Sequence, residues 1–366
     1  MLKKLLYIVP VLLMLLACED KATYRVKVKL DNLPAQEIYA VFESDDAKLV
    51  DTIAFDGNKE FTVTEMESGY NTLTLYFQNK RHWITLYLEP FRKLYVTGDA
   101  QYPELAQVKG TKINESLSAF HRSVSDLIKE QTDLFDMSDM YRAQGSSNSI
   151  STPRLDNIRL ELCKHAETYI KKHPDDQASV VLIKNFFSNA DKPEQIDELL
   201  DGLSPKVSDF YLYKRMKTFC EKAKRMMIGA EAPDFDVKNI YGQHYNINSF
   251  TGRYLALTFI ARWEDNCQTE ELMLNKIIRS HTKDSLEVLL VSLDENPQEV
   301  RNYIKNDSIA WNIVTDSAGQ AIHLFDLYNV KTVPYCFLIN TTGEILLKTE
   351  NGLELQQMLD NLVEKQ

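Results

Sequence analysis

The chain is expected to be multidomain: a small antiparallel β sandwich or barrel, a helical connector, and then an α/β domain. Three changes of pattern carry that expectation. Apolar and polar residues alternate with period two from Tyr24 to about Gly98, the spacing turns helical near Asn114, and from Ile228 strand-like and helix-like segments take turns. At 366 residues the chain is too long for one ordinary domain. Hydrophobic residues make up 44% and charged residues 26%, with only 12 glycines and 11 prolines, so each part has apolar material for a core. The 42 basic residues against 53 acidic ones leave a formal charge of −11, which argues against a nucleic-acid partner, because phosphate binding needs clustered cations.

Residues 1–17 have the layout of a secretion signal, with Lys3-Lys4, an apolar run from Leu5 to Leu16 broken only by Pro10, and a small residue at Ala17. The run is too short to span a bilayer comfortably. Leu15-Leu16-Ala17-Cys18 resembles a bacterial lipobox, which implies cleavage before Cys18, lipidation of its sulfur and a mature protein anchored in the cell envelope. Several acyl chains hold firmly where one binds only marginally. A plain secreted signal is the alternative. No later apolar run reaches spanning length.

Residues 18–112 read as the β domain. Tyr24, Val26, Val28 and Leu30 alternate with Arg25, Lys27 and Lys29, the pattern of a half-buried strand. Ile38 to Phe42, Phe61 to Thr64, Tyr70 to Phe77, Trp83 to Leu88 and Lys93 to Thr97 are β-branched or aromatic, and Asp56-Gly57-Asn58 marks a turn. The aromatic residues Tyr76, Phe77, Trp83 and Tyr87 fit sheet packing better than a binding face.

Residues 113–226 read as the helical connector. Leu117, Phe120, Val124, Leu127 and Ile128 share a stripe, and Gln144 to Ser149 form a polar loop. Helices resume over Leu155 to Lys172, Gln177 to Asn189, Glu194 to Leu200 and Ser208 to Met227, divided by His173-Pro174, Lys192-Pro193 and Ser204-Pro205. His121, His165 and His173 lack ligand spacing, so surface or capping roles fit them and no metal is expected. No phosphate loop or nucleophile elbow is present, and no cofactor is expected. Cys163 and Cys220 lie inside helical patterns and read as free thiols, with a bridge between them the alternative.

Residues 227–366 alternate strand and helix. Gly229 to Phe235 leads in, Gly242 turns, and Tyr254 to Ile260 is a strand running into Trp263-Glu264-Asp265-Asn266-Cys267. A helix is expected over Gln268 to Ser280, a strand over Leu286 to Leu293, and helices over Pro297 to Asn306, ahead of Trp311, and Ala318 to Tyr328. Thr332-Val333-Pro334 opens a strand over Tyr335 to Asn340, which turns at Thr342-Gly343 into Glu344 to Thr349, and a helix from Leu353 closes the chain.

Four features in this order resemble envelope thioredoxin-like domains of the TlpA and ResA type, grouped with the AhpC/TSA redoxins. They are Gly229-x-x-Ala232-Pro233-Asp234-Phe235, the Trp263 to Cys267 turn, Val291-Ser292-Leu293-Asp294, and Val333-Pro334 before Phe337-Leu338-Ile339. The resemblance implies that Pro334 is the cis-proline of the substrate-docking edge, that Cys267 is the second cysteine of the Cys-x-x-Cys site, and that Glu264 replaces the first. Thiol-disulfide exchange needs an exposed thiolate to attack and a second thiol to resolve the mixed disulfide. Cys267 alone should be a poor nucleophile. Glu264 suits a helix N-terminus as a cap, with an active-site acid or metal ligand as the alternative. Thr258 stands where many thioredoxins bury a carboxylate that takes the second thiol's proton.

The expected function is therefore that of an anchored relative of thiol-disulfide oxidoreductases, impaired in dithiol exchange, that keeps the Trp263 and Pro334 groove for protein or peptide thiol or disulfide partners. Residual redox work through Cys267, alone or paired with Cys336, is the competing enzyme reading. A non-enzymatic envelope binding or assembly lipoprotein, with the β domain doing the work, is the third. A one-cysteine peroxidase fits poorly, because Glu264 occupies the position such a thiolate needs.

Overall fold

A computed structural model describes residues 23–33, 37–54, 59–77, 81–143, 152–261, 263, 264, 267, 277, 285–304, 312–316 and 319–363. The signal segment with Cys18, the Asp56 to Asn58 turn, the Gln144 to Ser149 loop, Asp265, Trp311 and most of the helix expected over Gln268 to Ser280 lie outside the described residues. The chain divides into two compact units. One takes residues up to Ser188 together with Leu199–Lys214, and the other takes Asn189–Glu198 together with Arg215 onward.

The first unit begins with eight strands: β1 (Tyr24–Asp31), β2 (Ile38–Glu43), β3 (Lys48–Ile53), β4 (Glu60–Glu65), β5 (Thr72–Phe77), β6 (His82–Tyr87), β7 (Lys93–Asp99) and β8 (Gln107–Lys109). They form two four-stranded sheets, ordered β4-β1-β7-β8 and β3-β2-β5-β6. Alternate residues of β1 and β7, such as Val26, Val28, Leu94 and Val96, share one core cluster with Phe42, Leu73, Leu75 and Leu86 from the other sheet, which makes the pair a sandwich. Burying each such side chain contributes about 1.5–3 kcal/mol relative to exposure.

Three features differ from the sequence reading. β1 and β7 run parallel, in register from Arg25 opposite Lys93 to Asp31 opposite Asp99, so the sandwich is not purely antiparallel. Alternation reports which face a residue takes and not which way its neighbour runs. Strands β3 and β8 are additional; β3 is an edge strand with no fully buried residue, so it leaves no hydrophobic alternation to read.

Helices α1 (Lys112–Ser123), α2 (Ser125–Ala143), α3 (Thr152–Lys172) and α4 (Gln177–Phe187) complete most of this unit. Buried Asn114 ties α1 to β6: its Oδ1 accepts from the Tyr87 N–H at 3.0 Å, and its Nδ2 donates to the Tyr87 carbonyl at 2.7 Å. Asp176 caps α4 by accepting from the Ala178 N–H at 3.0 Å. His165 and His173 are exposed and His121 is half-buried, with desolvation pushing the His121 imidazole down to about 4.

Two more helices, α5 (Pro193–Asp201) and α6 (Tyr211–Arg225), precede the α/β part. There a short hairpin, β9 (Asp236–Lys238) with β10 (His244–Asn246), leads to a five-stranded sheet. Its strands are β11 (Tyr254–Ile260), β12 (Leu286–Ser292), β13 (Asn312–Thr315), β14 (Tyr335–Ile339) and β15 (Ile345–Thr349), in the order β13-β12-β11-β14-β15. β11, β12 and β13 are parallel, while β14 runs antiparallel to both β11 and β15. Helices α7 (Pro297–Ile304), α8 (Gln320–Leu327) and α9 (Gly352–Val363) fill the connections and the end. Central β11 sends Leu255, Leu257 and Phe259 into one core cluster and Ala256 and Ile260 into another, so both sheet faces are covered. That explains why Leu255 to Ile260 reads as a nearly continuous apolar run.

Candidate functional site

The site forms where β11 ends. The Glu264 N–H donates to the Ala261 carbonyl at 3.1 Å, and the Cys267 N–H donates to the Glu264 carbonyl at 3.0 Å, so backbone bonds close the turn and bring Cys267 into helical conformation. Trp263 is 67% exposed and Glu264 is half-buried. Cys267 is only 1% exposed; its Sγ accepts from the Ala261 N–H at 3.4 Å, which turns the sulfur back toward the strand. Ile277, the one described position of the helix expected over Gln268 to Ser280, is helical and buried.

Strand β14 supplies the neighbouring elements. The Val333–Pro334 peptide bond is cis, as the resemblance implies, and Pro334 is buried. Cys336 faces Thr258 across the β11–β14 ladder, and the Thr258 hydroxyl donates to Cys336 Sγ at 3.3 Å, with both residues buried. Cys267 and Cys336 share one core cluster, and none of the four described cysteines, Cys163 and Cys220 included, is in a disulfide. Pro334, Thr258 and Cys336 border a cleft of about 10 Å³, too small for anything but a contacting side chain or water. Burial pushes the Tyr335 phenol up to about 12, with help from the negative charges of Asp191 and Glu350, so it stays neutral beside the proline.

The arrangement brings together the sequence-selected Trp263, Glu264, Cys267 and Pro334 at one end of the sheet. Cys18 lies outside the described residues. The link that sequence reading missed is Thr258 to Cys336; pairing the Leu255 to Ile260 run against Tyr335 to Asn340 in antiparallel register would have found it. Ser292 and Asp294 add a buried pair at the end of β12, with the serine hydroxyl donating to Asp294 Oδ2 at 2.5 Å. Among the described residues, no group of three or more His, Cys, Asp or Glu side chains is placed to hold a metal ion. No helix among them is long and apolar enough to cross a membrane.

Residues 228–348 match the model of the AhpC/TSA family. The chain is 26% identical over 156 residues to the thiol-disulfide oxidoreductase ResA of Bacillus thuringiensis subsp. konkukian, covering 43% of this chain and 86% of that protein. It is 28% identical over 127 residues to ResA of Geobacillus kaustophilus, covering 35% of this chain and 71% of that one. Among solved structures, a thiol-disulfide oxidoreductase from Bacteroides fragilis is 30% identical, with 36% of this chain and 98% of that chain covered at a TM-score of 0.32. The C-terminal region of this chain is thus a thioredoxin-like redoxin domain of the TlpA/ResA type.

Proposed function

We propose that the protein is a lipid-anchored envelope relative of thiol-disulfide oxidoreductases whose dithiol exchange is impaired, and whose redoxin domain docks thiol or disulfide proteins or peptides. The observation that carries this reading is the pairing of Glu264, where the attacking thiol would stand, with a Cys267 only 1% exposed. A carboxylate cannot form and release a mixed disulfide, and a recessed thiol reaches no partner's sulfur without the turn opening. Exposed Trp263 and the cis Val333–Pro334 bond retain the edge against which an extended segment would lie.

The test is reduction of a peptide disulfide by the full chain. Wild type should give no turnover above the thiol buffer, and Glu264→Cys should create turnover that a further Cys267→Ser removes. Wild-type turnover that Cys267→Ser abolishes would sink the proposal and bring forward a second reading. In that reading Cys267 and Cys336, which share a core cluster, cycle as a pair; each oxidation forms one S–S bond and passes two electrons and two protons to the partner disulfide. Anchoring rests on the lipobox-like Leu15 to Cys18 sequence. Acyl mass on the Cys18 peptide of the mature protein is its expected signature, and an unmodified Cys18 there would leave a soluble secreted form.

A further inference from the structure

The first unit contains a cavity of about 270 Å³, bordered by the start of β6, the 3-10 turn Pro103–Leu105 and α2. Two of its walls are large aromatic side chains left open to solvent, Trp83 at 48% and Phe135 at 53% exposure. A third, Tyr102, already has the Lys129 ammonium 5.8 Å from its ring centroid. Between these walls lies His82, only 6% exposed, whose Nε2 has no hydrogen-bond partner. Asp136 Oδ1 lies 3.2 Å from that nitrogen without the alignment of a shared proton. A buried nitrogen left in this state costs free energy until a suitable group meets it.

A group with several N–H donors would meet His82 Nε2 and the Asp136 carboxylate together. Asp136, beside His82, supplies the anionic anchor; Glu104, whose carboxyl burial pushes up, and Arg81 also line the cavity. Aromatic faces attract cations, and apolar walls take an aliphatic stem. The volume lies just below the roughly 300–1,000 Å³ of sites for drug-sized ligands, which suits a smaller one. We propose that this cavity binds a primary alkylammonium group, with His82 Nε2 and Asp136 accepting its N–H bonds and Trp83 and Phe135 packing its stem.

Calorimetric titration of the full chain with pentylammonium and with N-acetyl-lysine amide tests this, with 1-pentanol and valerate as neutral and anionic counterparts. Saturable binding of an ammonium probe is expected, with both counterparts weaker by about tenfold or more. The better of the two ammonium probes distinguishes a free amine from a peptide-borne lysine. Asp136→Asn should weaken binding by about tenfold or more while leaving the unfolding temperature close to wild type, since this carboxylate is partly exposed. Trp83→Ala should weaken it as well. His82→Ala is the riskier variant because the ring is buried, so Asp136→Asn decides. No saturable binding of either ammonium probe, equal binding of pentanol, or undiminished binding by Asp136→Asn would overturn the proposal.

Discussion

At the scale of single residues, the contrast between a half-buried thiol and three buried ones gives a direct check on the site. Cys163 is half-buried, its Sγ donates to the Phe186 carbonyl at 3.5 Å, and burial pushes its thiol up. Cys220, Cys267 and Cys336 are buried outright. Reactivity requires both a thiolate and access, and access differs more among these four than anything else on view. In a timed alkylation of the native protein read by peptide mass, Cys163 should therefore be modified first. Cys267 and Cys336 should trail it by on the order of tenfold or more, with the gap closing in denaturant. Fast labelling of Cys267 would show an open turn and an available thiol. A Cys267 to Cys336 bridge, found before reduction, would favour the paired-cysteine reading.

At the scale of elements, legibility followed burial. The Tyr254 to Ile260 strand was read to its ends because both of its faces are covered and, past Tyr254, no polar residue but Thr258 interrupts it. β1 was equally legible, since its buried residues alternate strictly with the charged Arg25, Lys27, Lys29 and Asp31. β3 was not, because Lys48, Val50, Asp51 and Thr52 are all exposed and the strand is held by its ladder to β2. Hydrogen bonding between backbones leaves no mark on side-chain pattern. The same limit hid the parallel pairing of β1 with β7 and the Thr258 to Cys336 contact, both of which depend on which strand lies beside which. The candidate site residues were selected in a different way: Glu264, Cys267 and Pro334 stood out by family resemblance. What distinguishes exposed Trp263 from recessed Cys267 needed the turn's backbone bonds. The His82 cavity was invisible for a further reason, since it assembles residues from three elements spread between Arg81 and Asp136, and Trp83 read, with its neighbouring aromatics, as sheet packing.

At the scale of the molecule, the second unit is discontinuous in sequence: Asn189–Glu198 belongs to it, while the intervening Leu199–Lys214 does not. Charged contacts tie the early segment to later parts of the same unit. Lys348 on β15, with a side chain 10% exposed, reaches Asp191 at 2.6 Å, and Asp197 takes Lys217 at 2.5 Å together with Lys224. Hydrogen bonds from Lys217 and then Lys224 hold the Asp197 carboxyl below the usual carboxylate range. A carboxyl whose folded pKa is depressed contributes stability above its unfolded value, about pH 4, and loses that contribution as pH falls through the folded value. Asp197→Asn should thus lower unfolding stability at pH 7 by roughly 1 kcal/mol, the scale of a partly exposed ion pair with hydrogen bonds. The difference from wild type should shrink as pH falls below about 4 and the Asp197 carboxyl takes up its proton. Urea unfolding of the two proteins at pH 7, 4 and 2 measures it. A gap that stays constant down to pH 2 would mean that Asp197 acts by packing alone, and that charge is not what joins the early segment to the rest of its unit.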